Sequence, residues 1–182
     1  GFSGKLIVIT NPMDVFTWYF AKHAGLDEGQ VVGFGGLLDS RRFTVALSSM
    51  GIKEEGMVLG ETGENQVPVF SRLSVAVPEA VREEVLLGLR GSSMPVIKGK
   101  GGTVFGPAYH IANMMQKIEK GEEFICSLPA NGAYGIDGCS IGLPAKVTRN
   151  GAKINENLKL DDWETAKLNA AAEFLTGLCR RV

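Results

Sequence analysis

The run Lys5-Leu6-Ile7-Val8-Ile9 constrains the fold more than any other stretch, with four successive apolar residues, three of them β-branched. Such a run reads as a strand covered on both faces, the habit of parallel sheets rather than of half-solvated antiparallel ones. Preceding βα units would normally supply those neighbours, and here only Gly1 to Gly4 come before it. The expectation is a fragment in which residues 1–11 are the last strand of a truncated domain and 12–182 form a second one. An ordinary edge strand pairing with a later segment is the plainer alternative.

The rest of the chain divides into elements of both kinds. Asn11-Pro12 ends the first strand, because proline has no N–H for a ladder and biases its predecessor away from helix. A helix is expected from Pro12 or Asp14 to about His23, closed by Gly25, then a short strand at 31–34 and a helix from Leu37 to Met50. Met57 to Leu59 leads into the Gly60–Gly63 turn, and 67–71 and 73–77 read as paired strands. Pro78 to Leu89 has proline in its first turn, acidic residues at the front and Arg90 behind, the charge order of a helix. Lys98 to Gly102 reads as a glycine-rich turn and Tyr109 to Lys120 as a helix. Segments 124–128, 132–134 and 140–148 read as strands of an antiparallel meander, and Asp161 or Asp162 caps a last helix to Leu178. Strands and helices segregate late in the chain, so the class is α+β.

Composition narrows the function. At 182 residues the chain can bury one substantial core, but it is short for a two-domain enzyme. A net charge of −1 gives no footing for nucleic acid or an anionic membrane surface. No apolar run reaches membrane-spanning length. The three cysteines, Cys126, Cys139 and Cys179, form no CxxC pair, which points to a reducing, cytoplasmic setting. No cluster of histidine, cysteine and carboxylate residues has metal-ligand spacing, so no metal is expected.

Three short stretches carry the chemistry: Thr10-Asn11-Pro12-Met13-Asp14-Val15, Gly36-Leu37-Leu38-Asp39-Ser40-Arg41-Arg42-Phe43 and Leu59-Gly60-Glu61-Thr62-Gly63. Each sets a polar group beside a backbone turn. Asp39 and Arg42 are three apart on one helix and share a face. Taken singly, each has a plainer reading: Asn11 as a turn residue, Asp39 as a cap, Arg42 or Arg41 as solvated helix surface, Thr103 as loop. In this order and spacing, however, the three resemble the C-terminal catalytic domain of the lactate/malate dehydrogenase family. The resemblance extends over Gly101-Gly102-Thr103-Val104-Phe105-Gly106-Pro107-Ala108, Gly132-Ala133-Tyr134-Gly135 and Gly142-Leu143-Pro144. Gly106-Pro107-Ala108 leans toward the malate enzymes.

The resemblance implies an α+β domain with an antiparallel sheet and packed helices, preceded by the last strand of a Rossmann domain. It also implies oxidation of a 2-hydroxy acid, with malate and oxaloacetate favoured. Arg42 would grip the substrate carboxylate, Asp39 would orient the acid/base group, and Asn11 and Thr103 would bind substrate. Ile9, Thr10 and Asn11 would lie along the nicotinamide of NAD or NADP. A homodimer or homotetramer is implied as well. The departure is Thr62, which stands where the family has its proton-transferring histidine. A threonine hydroxyl does not titrate near neutrality, and neither His23 nor His110 occupies the family position. The G-x-G-x-x-G fingerprint is missing too: Gly33-Phe34-Gly35-Gly36 and Gly99-Lys100-Gly101-Gly102 each lack the third glycine. The family loop that separates malate from lactate would lie upstream of residue 1. The expectation is a catalytic domain with little activity alone. The alternative is a non-catalytic pseudoenzyme or oligomerisation domain. An NAD-dependent glycosidase relative would want a metal cluster that the sequence lacks.

Overall fold

A computed structural model of the protein describes residues 1–27 and 29–182. The order is β1 (Leu6–Val8), α1 (Met13–His23), β2 (Val31–Gly33), α2 (Gly36–Ser49), β3 (Val58–Gly60), β4 (Gln66–Pro68), α3 (Glu79–Gly91), α4 (Met94–Lys100) and α5 (Phe105–Lys120). Then follow β5 (Glu123–Pro129), β6 (Ser140–Thr148), β7 (Gly151–Ile154) and α6 (Asp162–Cys179). One mixed sheet joins the strands in the order β1-β2-β5-β6-β3-β4, with β7 added on β6. Only β1 and β2 run parallel, in the register Leu6↔Val31 to Val8↔Gly33; the remaining pairs are antiparallel.

Alternation along β5 divides the core between the two faces, as the two-residue period of a strand requires. Ile125 packs with Val15 of α1 and with Leu168, Ala171 and Leu175 of α6. Its neighbours Phe124 and Cys126 point the other way, to Met114 and Ile118 of α5. Helix α6 follows from its sequence: Leu168, Ala171, Ala172, Leu175 and Cys179 recur at helical spacing and are buried. Asp161 caps it through a reciprocal box with Glu164. A third cluster joins Phe43 and Leu47 of α2 to Leu89 of α3 and to Phe70.

Several expectations need correction. The first strand lies at the sheet's edge with β2 as its partner, so Leu6 and Ile7 are half-buried and Ile9 is 57% exposed rather than covered on both faces. Residues 73–77 form no strand, and β4 pairs with β3 instead. The glycine-rich segment 98–102 is largely helix: α4 carries Pro95 in its first turn and closes on Gly101 in the left-handed conformation. The stretch 132–134 is a turn, with Gly132 and Tyr134 at positive φ, which a strand cannot contain. Strand β7 was not expected, and α5 begins at Phe105, earlier than Tyr109. Among the described residues no helix is long and apolar enough to cross a membrane.

Candidate active site

The ends of β1 and β3 and the facing sides of α2, α3 and α4 enclose a cleft of about 490 Å³. Asp39 and Arg42 reach it from α2. Phe43 and Leu47, buried at one-turn spacing from Asp39, fix how that helix faces the sheet. Asp39 is 3% exposed, and its Oδ1 accepts from Arg42 Nη1 at 2.9 Å. Burial pushes the Asp39 carboxyl above the usual range, while the Arg42 charge and the Gln66 side chain beside it pull the other way. Gln66 is itself buried, and its Oε1 has no hydrogen-bond partner among the described residues. Arg41, the neighbour that could have played Arg42's part, is exposed and does not line the cleft.

Thr62 reaches the cleft from the turn between β3 and β4. That turn is held at its neck, where Glu61 Oε2 accepts from the Asn65 N–H at 2.8 Å. Two glycines allow β3 to approach β6: a Cβ on Gly142 would lie 2.8 Å from the Gly60 carbonyl oxygen. Gly35 performs a similar service, since a side chain there would run into Thr62 Oγ1, and its φ of +144° suits glycine alone. Ile9, Asn11 and Thr103 also line the cleft, all three on its exposed side. Thr10 is exposed and is not part of the lining. Neither histidine is: exposed His23 packs at a tilt against Tyr19, and His110 is held below its ordinary pKa by partial burial and by the charges of Arg41 and Arg42. Among the described residues no group of histidine, cysteine and carboxylate side chains could hold a metal ion.

Sequence reading passed over three residues here. Gln66 showed only as a polar position ahead of an apolar strand, and Arg90 only as a charge at a helix end. Asp14 was read as the start of a helix. It is 2% exposed, and its Oδ2 accepts from the Thr62 N–H at 2.8 Å, tying α1 to the turn that carries Thr62. Ser127 lies beside the carboxyl, but Asp14 Oδ1 and Ser127 Oγ complete no well-formed hydrogen bond. Burial pushes the carboxyl up to about 7, against the pull of Ser127 and the Thr62 N–H, and the charges of Glu61 and Asp39 push it further up.

The Asp14 shift predicts a pH dependence of stability. Between pH about 4 and 7 the folded chain keeps a proton that the unfolded chain has released, so stability falls as pH rises across that window. The loss should reach about 2–4 kcal/mol. Asp14→Asn keeps an acceptor for the Thr62 N–H and should remove this contribution. Denaturant melts at pH 5 and pH 8 test it, and equal pH responses in the two proteins would rule it out.

Comparison with known proteins shows the family and the fold. The model of the lactate/malate dehydrogenase α/β C-terminal domain matches residues 37–179. The malate dehydrogenase of Natronomonas pharaonis is 38% identical over 181 residues, covering 93% of this chain and 60% of that protein. The L-lactate dehydrogenase of Macrococcus caseolyticus is 32% identical over 196 residues, covering 98% of this chain and 62% of that protein. The chain thus spans about three-fifths of the curated relatives it matches. Among solved structures, the malate dehydrogenase of Archaeoglobus fulgidus in complex with NADH superposes with a TM-score of 0.86 at 34% identity. That match covers 97% of this chain and 61% of that one.

Proposed function

The chain belongs to the lactate/malate dehydrogenase family, as its α/β C-terminal domain, and from that premise we propose that the full protein binds a small 2-keto or 2-hydroxy dicarboxylic acid in the cleft. Malate and oxaloacetate are the favoured pair, with NAD or NADP as cofactor. The observation that carries this reading is that Asn11, the Asp39–Arg42 pair, Thr62 and Thr103, from four separate segments, line one cleft.

In this reading Arg42 grips the substrate's carboxylate next to the reacting carbon, a task its planar fork suits. Asp39, bonded to it from the same helix, holds the guanidinium in place. Asn11 donates its side-chain N–H to the substrate oxygen, and Thr103 closes the far side. Ile9 offers an exposed apolar side chain at the rim beside Asn11. That suits the nicotinamide end of the cofactor, which Ile9, Thr10 and Asn11 would hold. The glycine-rich turn needed for its pyrophosphate is missing from this sequence. When bound, the cofactor supplies the hydride. Thr62 can hydrogen-bond the substrate oxygen but cannot act as a general acid or base near neutral pH.

That last point supports a second reading, a domain that binds ligand or assembles subunits without turnover. Exposed Val45 on α2 and Met50 just past its end border an apolar groove with Val81 and Val85 of α3, a surface suited to a homodimer or homotetramer. An NADH-oxidation assay of the full-length protein with oxaloacetate and with pyruvate separates the readings. Slow turnover favouring oxaloacetate is expected. Preference for pyruvate would move the assignment to lactate, and neither turnover nor binding of either acid would leave only the assembly reading.

A further inference from the structure

We propose that Arg90 is a second carboxylate anchor of the same cleft, so that the C-terminal domain itself discriminates dicarboxylic from monocarboxylic keto acids. The inference rests on the reading of Arg42 as the first anchor.

Two arginines line the cleft, Arg42 from α2 and Arg90 from the last turn of α3. Their electrostatic situations differ. Arg42 is neutralised by Asp39 at 2.9 Å, on its own helix. Arg90 forms none of the ion pairs found among the described residues. The acidic group that feels its charge is Glu83, about two turns earlier on α3, and Glu83 is already engaged by Lys167 at 2.8 Å and by Trp163 Nε1 at 2.9 Å. The cleft's remaining carboxylate, Glu64, is exposed at the rim.

A cation in the last turn of a helix is favourable in its own right. That explains a charge at this position but not why it lines the cleft with no carboxylate paired to it among the described residues. A ligand carboxylate in the cleft supplies the counter-charge that no described side chain gives Arg90. A diacid held at one end by Arg42 brings a second carboxylate into the space that Arg90 lines. A monocarboxylic acid leaves Arg90 as it was. A cleft of about 490 Å³ falls within the range of ligand sites and has room for a small diacid.

The test is titration calorimetry on the full-length protein with NAD present, using L-malate and L-lactate as ligands. Arg90→Gln should weaken malate binding by about 10- to 100-fold, the worth of a charge-assisted hydrogen bond, and change lactate binding less than about two-fold. Arg90→Lys keeps the charge without the fork and should fall between. Equal losses for the two acids, an unchanged malate affinity, or no malate binding by the parent protein would each overturn the proposal. Arg42→Gln serves as the separate check: it should weaken both acids, and if it weakens neither, the reading of Arg42 fails independently of Arg90.

Discussion

Replacing Thr62 by histidine in the full-length protein is expected to raise the rate of oxaloacetate reduction by about 10²–10⁴-fold, the usual worth of a positioned general acid. The geometry favours a gain. Thr62 opens onto the cleft that also holds Asp39 and Arg42, and its backbone is fixed by Asp14 from below. Its hydroxyl already packs against the backbone of Gly35, so a longer side chain has to turn outward into the cleft. There an imidazole would meet a cleft wall containing a buried carboxyl able to orient its ring and stabilise its charged form. The restored activity should titrate near the ordinary histidine range, and adding Asp39→Asn should remove most of the gain. Steady-state NADH oxidation across pH 5.5–8.5 gives both answers. If the histidine variant is no faster than the parent, the roles assigned to Asp39 and Arg42 fall with it.

Sequence alone disclosed parts of this site whose geometry is local. Asp39 and Arg42 are neighbours because three residues along a helix is most of a turn, and the pair is bonded in the structure. Whether Arg41 or Arg42 faces inward depends on how α2 rolls on the sheet, which Phe43 and Leu47 decide by burying themselves. Arg90, Gln66 and Asp14 depend on contacts across the fold, and no spacing reveals those. The Asp14 to Thr62 bond spans 48 positions. The same division holds for the elements. Helix α6 was legible because its capping residues and apolar period agree. The stretch 132–134 was not, because positive φ at Asn131, Gly132 and Tyr134 turns an apolar-looking segment into a tight reversal. Glycines misled in the opposite direction at α4, where Gly99 is tolerated within the helix and Gly101 ends it.

Glu164→Ala is expected to lower stability by about 3–5 kcal/mol, the cost of leaving several buried donors without their charged acceptor. Glu164 is 0% exposed in the first turn of α6. Its Oε1 accepts from the Phe70 and Ser71 N–H groups at 2.7 Å each, and its Oε2 from the Ser71 hydroxyl at 2.7 Å and the Asp161 N–H at 3.0 Å. One carboxylate therefore answers donors on both the helix terminus and the chain just past β4, and alanine leaves them unanswered. The loss is concentrated where packing is dense, since Phe70 lies edge-on between Phe43 and Trp163. For a chain of this size each kcal/mol moves the melting midpoint by about 2–4 °C, so a fall of roughly 6–20 °C follows. Glu164→Gln keeps an oxygen for Phe70 and Ser71 but turns a donor toward the Asp161 N–H, and should lose about half as much. Thermal melts followed by circular dichroism measure both, and a fall below about 3 °C for the alanine variant would contradict the assignment. Because β4 pairs with β3 on either side of the turn bearing Thr62, the alanine variant should also loosen the cleft well below its midpoint. Faster amide exchange at Leu59 and Val67 than at Leu143 would register that effect.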